Sequence, residues 1–214
     1  MAKKAIGEGI WAAYKPKGPT SYDILRQIKK ATGIKKVGHA GTLDPLARGI
    51  LVVGVGRAAT RQLGEVVKKE KEYAAKIKLG QSSSTDDAEG TKTEFKIINQ
   101  PSCQEVDRAV SKFIGRTWQS PPIFSAVKIR GQEAYKRARR GEKVVMSKRR
   151  VEIKKIKIIS YHWPYLKLQV ITGPGVYIRS LARDIGRTLK VGGYLADLER
   201  TRVGQFTKKS ARKF

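Results

Sequence analysis

The residue best placed to do chemistry is Asp44, in the run Val37-Gly-His-Ala-Gly-Thr-Leu-Asp-Pro-Leu-Ala-Arg-Gly-Ile-Leu51. A solvated loop aspartate usually has polar neighbours. This one has Leu43 before it and Pro45 fixing the backbone after it, with Gly38, Gly41 and Gly49 allowing a partner to come close. Such a segment suits the presentation of a single reactive carboxylate. The same residue type also suits a turn before proline, and the local pattern leaves both readings open.

Other groups could serve such a carboxylate. Arg179, in Gly175-Val-Tyr-Ile-Arg-Ser-Leu181, sits at an apolar strand-turn-helix junction, where a buried guanidinium is costly without an acid. Asp44 is its natural partner, and the pair would keep the carboxylate ionised; a solvated first-turn arginine is the alternative. Tyr73, in Lys71-Glu-Tyr, offers a flat face for stacking a planar ring and a hydroxyl that can move a proton. By its alternation it is equally an inward-facing strand residue. Lys136, Arg137, Arg139 and Arg140 share one short segment, followed by Lys143, Lys148, Arg149 and Arg150. That concentration suits a track for phosphates better than a merely solvated face. Two histidines, His39 and His162, and one cysteine show no metal-ligand spacing, so no metal is expected.

The elements that must position these groups can be read from periodicity. Ile10–Tyr14 reads as a strand, and Thr20 or Ser21 caps a helix from Tyr22 to Thr32 that Gly33 ends. A buried strand, Ile50–Val55, follows the Asp44 loop, then a helix over Ala58–Lys68. Tyr73, Ala75, Ile77 and Leu79 alternate as a half-buried strand. Gln81–Gly90 reads as a polar loop, and Ser102-x-x-Glu105 as a capping box opening a helix through Phe113. A strand is expected over Ile123–Ile129, and a helix over Gln132–Arg140 before Gly141. Two strands, Val151–Ile159 and Leu166–Ile171, are joined through Tyr161-His-Trp-Pro164. Ile178, Leu181, Ala182, Ile185 and Leu189 have helix spacing; a short helix near Tyr194–Leu198 and a strand near Arg202–Phe206 come last. Strands and helices mix without βαβ regularity, which points to an α+β domain on a largely antiparallel sheet.

Composition narrows the function classes. Forty-six Lys and Arg against 18 Asp and Glu give a formal net charge of +28, which opposes compactness and favours a polyanionic partner, most simply nucleic acid. The basic segments lack an exposed apolar face, so a membrane surface is not expected. The first residues lack a leader's apolar stretch, and Cys103 is the lone cysteine, so a reducing cytoplasm fits.

These motifs, taken together, resemble the TruB-type tRNA pseudouridine synthases. Gly-His-Ala-Gly-Thr-Leu-Asp-Pro-Leu-Ala-x-Gly-Ile-Leu is similar to the family's catalytic loop, Lys15-Pro-Lys-Gly-Pro-Thr-Ser21 to its first motif, and Gly175–Leu181 to Gly-x-Tyr-Ile-Arg-x-Leu. Pro121–Lys128 with Gly131, Tyr135, Ala138, Arg139 and Gly141 matches a further segment. The resemblance implies the pseudouridine synthase fold: a mixed, mostly antiparallel sheet, flanking helices and a central catalytic cleft. It implies Asp44 as nucleophile, Tyr73 against the target base, and Arg179 as the carboxylate's partner. On the substrate side it implies Lys15 supporting the loop, Tyr177 and Leu198 packing the site floor, and His39 holding the RNA loop in space left by flipped bases. The expected reaction is isomerisation of the tRNA T-arm uridine conventionally numbered 55, recognised through the T stem-loop, by a monomer without cofactor. A guide-RNA-dependent relative and a tRNA-folding chaperone are the alternatives. One departure stands out: Ser84 replaces the first aspartate of a family Thr-Asp-Thr-x-Asp segment, while Asp87 keeps the second. Residues 1–207 are expected to form the catalytic domain and 208–214 a basic tail, without the small C-terminal RNA-binding domain of many relatives.

Overall fold

The computed structural model describes residues 7–213. The opening segment, expected to lack a leader, falls mostly outside them, as does Phe214 at the end of the expected tail. In chain order the elements are β1 (Gly9–Lys15), α1 (Ser21–Thr32), β2 (Val37–Ala40), β3 (Ala47–Val55), α2 (Arg57–Val67), β4 (Lys71–Leu79), β5 (Gln81–Ser83), β6 (Lys92–Glu94) and α3 (Cys103–Ser111). They continue as β7 (Gly115–Gln119), β8 (Lys128–Ile129), β9 (Gln132–Glu133), α4 (Ala134–Arg139), β10 (Arg149–His162), β11 (Tyr165–Thr172), α5 (Ile178–Thr188), β12 (Gly193–Val203) and β13 (Phe206–Thr207). The class is α+β with a mixed, mostly antiparallel sheet, as the periodicities predict. The chain forms two compact units, one from Met1–Ala74 and Leu198–Phe214, the other from Ala75–Asp197. β4 and β12 each begin in one unit and end in the other.

In the first unit β3 is the axis. Its residues Leu51, Val53 and Val55 pack with Ile24, Leu25 and Ile28 of α1, while Ile50 and Val52 pack with Leu63 of α2 and Val203. A strand buried on both faces is apolar at every position, which is why Ile50–Val55 carries no polar alternation. Antiparallel β1 pairs with it from Gly9↔Val55 to Lys15↔Gly49. β2 pairs antiparallel with its second half, and β12 pairs parallel with its start, Leu198↔Ala47 to Arg200↔Gly49. The loop between β2 and β3 carries Asp44. α1 begins at a complete capping box, Thr20 with Asp23, and ends at Gly33 in the left-handed region, each an ordinary helix boundary signal. Near the end of the chain Arg212 bonds through its backbone to Ala12 and Tyr14 of β1.

In the second unit β11, β10 and β7 follow β4 in order. β10 pairs antiparallel with β11 along its length and with β7 over Arg149–Ile153. α5 buries Ile178, Arg179, Leu181, Ala182 and Ile185.

Several expectations need correction. Residues 194–198 are not a short helix; they belong to β12. Tyr194, Leu195 and Leu198 have helix-like spacing, but Gly192-Gly193 crosses Gly186 of α5 so closely that a Cβ on Gly186 would overlap their backbone. That close crossing and the ladder to β3 require an extended chain. The expected strand Ile123–Ile129 shrinks to β8. The Ser125 N–H donates to Ile123, and the Ser125 and Val127 carbonyls accept from Tyr135 and Ala134, so these backbone groups serve a turn and the start of α4. α4 is shorter than expected, because Gln132–Glu133 pairs with β8. Gln81–Ser83, read as loop, pairs with β6, and β7 is a strand the periodicity does not announce.

Candidate active site

Asp44 is half-buried, between buried Leu43 and buried Leu46, and Thr42 is exposed. The first motif holds this loop from below. The Ser21 hydroxyl accepts from the Leu43 N–H at 2.9 Å and donates to the Leu43 carbonyl at 3.0 Å. The Pro45 carbonyl accepts from the Gly18 N–H at 2.8 Å and from Lys15 Nζ at 3.3 Å. Lys15 is fully buried, and its ammonium also donates to the carbonyls of Pro16 and Pro19. The residues on either side of Asp44 are thus fixed by Lys15, Gly18 and Ser21, while the Asp44 carbonyl closes a turn with the Ala47 N–H at 3.0 Å. Lys15 is enclosed in the fold, with its ammonium turned to these carbonyls.

β12 braces the other side. Gly49, at φ +114°, has no room for a side chain, because a Cβ would overlap the Arg200 backbone. The Arg200 side chain, 2% exposed, donates from Nε to the Ile50 carbonyl at 2.7 Å and from Nη2 to the Gly41 carbonyl at 2.9 Å. Sequence reasoning does not single out Arg200. It lies in the charged string Glu199-Arg-Thr-Arg202, which gives no local sign of burial. Leu198 is buried opposite Ala47. Tyr73 is buried on β4, one of the alternating inward residues. His39 is half-buried on β2, and its imidazole is held below its usual pKa by burial and then by Arg200.

The second unit holds the other predicted residues. Tyr177 precedes α5, where the Gln119 side chain pairs with both its N–H and its carbonyl, at 2.8 and 3.1 Å. Arg179 is buried in the first turn. Its expected carboxylate is Asp44; within its own unit it binds Asp87, itself buried, at 3.3 Å, and the carbonyls of Thr85 and Phe124 at 3.3 and 2.9 Å. In the sequence Asp87 stands out only as a position that matches the family segment. Nothing in its loop composition distinguishes it from its neighbour Asp86, which instead binds Arg183 at 2.8 Å. Burial raises the Asp86 pKa and Arg183 opposes that rise.

Lys92 organises this loop from inside. Its ammonium donates to the carbonyls of Asp87 at 3.3 Å, Ala88 at 2.9 Å and Gly90, reaches Ser83 Oγ at 3.4 Å, and lies 4.8 Å from the centre of the Tyr194 ring. Ser84, at the departure from the family pattern, accepts from the Thr91 N–H at 3.0 Å.

The basic segment is partly paired. Arg137 and Arg140 both bind Glu142, each at 2.6 Å, and Lys136 binds Glu133 at 3.1 Å. Arg139 lies over the Tyr135 ring, 5.6 Å from its centre. Lys136, Arg139 and Arg140 are exposed and Arg137 half-buried. Among the described residues no group of His, Cys, Asp and Glu is arranged to hold a metal, and no helix is long and apolar enough to cross a membrane.

Residues 29–178 match the sequence profile of the TruB family pseudouridylate synthase N-terminal domain. The chain belongs to the TruB family. Two TruB relatives, both named tRNA pseudouridine synthase B, come from Thermobifida fusca (strain YX) and Clostridium novyi (strain NT). The first is 43% identical over 96% of this chain and 73% of its own length. The second is 44% identical over 95% of this chain and 70% of its own. Among solved structures, the crystal structure of a Cbf5-Nop10-Gar1 complex holds a chain that this one resembles with a TM-score of 0.74 and 28% identity. The match covers 96% of this chain and 52% of that one, so the present chain spans about half the length of its structural neighbour.

Proposed function

We propose that this TruB-family pseudouridine synthase acts on tRNA in the cytoplasm, isomerising a T-arm uridine, with Asp44 as nucleophile. The observation that carries the reading is the clamp on the Asp44 loop: Ser21 on Leu43, and Lys15 with Gly18 on Pro45. A nucleophile held between two anchored residues needs little reorganisation at the moment of attack. The relatives named tRNA pseudouridine synthase B, at 43% and 44% identity, favour tRNA as the substrate, while the chain of the Cbf5-Nop10-Gar1 complex shares only 28%.

The target base is shielded in folded RNA and must be extruded, at a cost of a few kcal/mol. Phosphate contacts and stacking on Tyr73 offset that cost. Asp44 attacks C1′ of the ribose or C6 of the uracil. The N1–C1′ bond breaks, the base turns, a C5–C1′ bond forms, the bond to Asp44 breaks and frees its carboxylate, C5 loses its proton and N1 gains one. The isomerisation balances within the nucleotide and calls for no cofactor. Arg179, paired with buried Asp87 at 3.3 Å, is the proposed cationic counterpart of the nucleophile. By the resemblance, Tyr177 and Leu198 each pack against the bound nucleotide, and His39 supports the RNA loop.

The test is Asp44→Asn in single-turnover pseudouridine formation on a T-arm transcript. Loss of product with RNA affinity changed by only a few-fold is expected, because shape is kept and the nucleophile removed. Substantial turnover by the purified variant would overturn the assignment.

A further inference from the structure

Two buried cations flank the turn that leads into the Asp44 loop, and neither has an acid bound to it among the described residues. Arg200 is 2% exposed and Lys71 is 7% exposed. The guanidinium uses Nε and Nη2 on the carbonyls of Ile50 and Gly41, and Nη1 has no acceptor among the described residues. The Lys71 ammonium donates to the carbonyls of Val67 and Lys69, both at 2.8 Å, and its third N–H has none among them. Both groups converge on Gly41, at φ +84°. A Cβ there would lie 3.5 Å from Arg200 Nη1 and 3.9 Å from Lys71 Cε.

Carbonyl partners satisfy donors without neutralising charge, so each buried ion retains a desolvation penalty. The like charges also oppose each other. Burial first, and Arg200 second, bring the Lys71 pKa down to about 8, and the same guanidinium depresses His39. Lys71 and Arg200 thus crowd positive charge beside a glycine three residues before Asp44, and the same charge disfavours protonation of His39. Such a place is improved by an anion arriving from outside.

We propose that Lys71 and Arg200 form a binding site for one backbone phosphate of the RNA, at Gly41, close to the nucleotide that Asp44 attacks. The proposal rests on the RNA-substrate reading above. The missing Cβ lets the chain's backbone approach the strand closely, and a phosphate supplies the negative charge that both cations lack. It would restore Lys71 and His39 toward their ordinary pKa values.

The experiment uses T-arm hairpins carrying one uncharged methylphosphonate linkage at a time around the target uridine. One position should weaken binding to the wild-type chain by about tenfold and to Lys71→Met by less than about twofold, since that variant no longer has the ammonium to meet the phosphate. Lys71→Arg should keep the wild-type pattern. A second measurement needs no variant: the His39 pKa, followed by proton NMR, should rise in the complex with the unmodified hairpin and rise less with the neutral linkage. Hairpins that bind and react normally, with no linkage coupled to Lys71 and no rise at His39, would overturn the phosphate site alone. A chain that neither binds nor modifies any hairpin would overturn the RNA reading and this site with it. Equal effects from millimolar inorganic phosphate without RNA would overturn the assignment to the RNA backbone.

Discussion

The Ser21 hydroxyl satisfies both backbone groups of Leu43, accepting at 2.9 Å and donating at 3.0 Å. A side chain in the first turn of α1 thereby takes the place of a neighbouring strand for the residue preceding Asp44. Ser21→Ala leaves a buried N–H and carbonyl unmatched, a cost of about 1–3 kcal/mol. The thermal midpoint should fall by roughly 2–12 °C, and kcat should fall more than KM rises, because the loop still forms but holds Asp44 loosely. Calorimetry with single-turnover kinetics checks both.

Asp87 and Arg179 form a buried pair, 3% and 7% exposed at their side chains. Removing one member strands the other, typically at about 3–5 kcal/mol. Asp87→Ala should therefore destabilise the chain more than Asp87→Asn, which keeps an acceptor for the guanidinium. Urea denaturation of the two variants measures the order. Equal losses would mean the hydrogen-bond geometry matters little there.

Glu142 occupies two of the four cations of the basic segment, Arg137 and Arg140. Glu142→Gln should release them, raise RNA affinity and steepen its dependence on salt. Replacing Arg137, Arg139 and Arg140 together should flatten that dependence, with the slope falling by about 0.9 for each phosphate no longer neutralised on duplex RNA, by analogy with B-DNA. Binding isotherms between low and moderate salt distinguish these outcomes.

Lys71 gives a pH signature. Its pKa in the folded chain is about 8, against an ordinary value of 10.5, so between those values the unfolded chain binds more protons. Stability from this group is lowest below pH ~8 and rises as pH climbs toward ~10.5, by up to about 3 kcal/mol. Without RNA, wild type should gain on Lys71→Met over that range. Denaturant titrations at both ends measure the difference.

How far the chain can be read depends on how local each signal is. α1, with its capping box and Gly33, and β4, alternating from Lys71 to Leu79, are set by neighbours in sequence and are legible. So is the first motif's support of the Asp44 loop, through the resemblance. β12 misleads because Tyr194, Leu195 and Leu198 have helical spacing, while Gly186 and β3 decide their backbone from a distance. β7, Gly-Arg-Thr-Trp-Gln, alternates in burial but not in residue type, since Trp118 lies on its exposed face. Arg200 and Asp87 are invisible as buried ions. Each sits in a polar string, and only long-range packing makes such residues internal.

The ammonium of Lys92, ringed by the carbonyls of Asp87, Ala88 and Gly90 with Ser83 and the Tyr194 ring, occupies a place that another loop would give to a dissolved monovalent ion. Because this cation is tethered by its own side chain, its effective concentration is fixed by the covalent chain and not by the medium. The turn that delivers Asp87 to Arg179 is therefore held together by a cation that the chain itself supplies. An enzyme facing a polyanion that gathers counterions around itself gains from this, since the loop does not compete with its substrate for them.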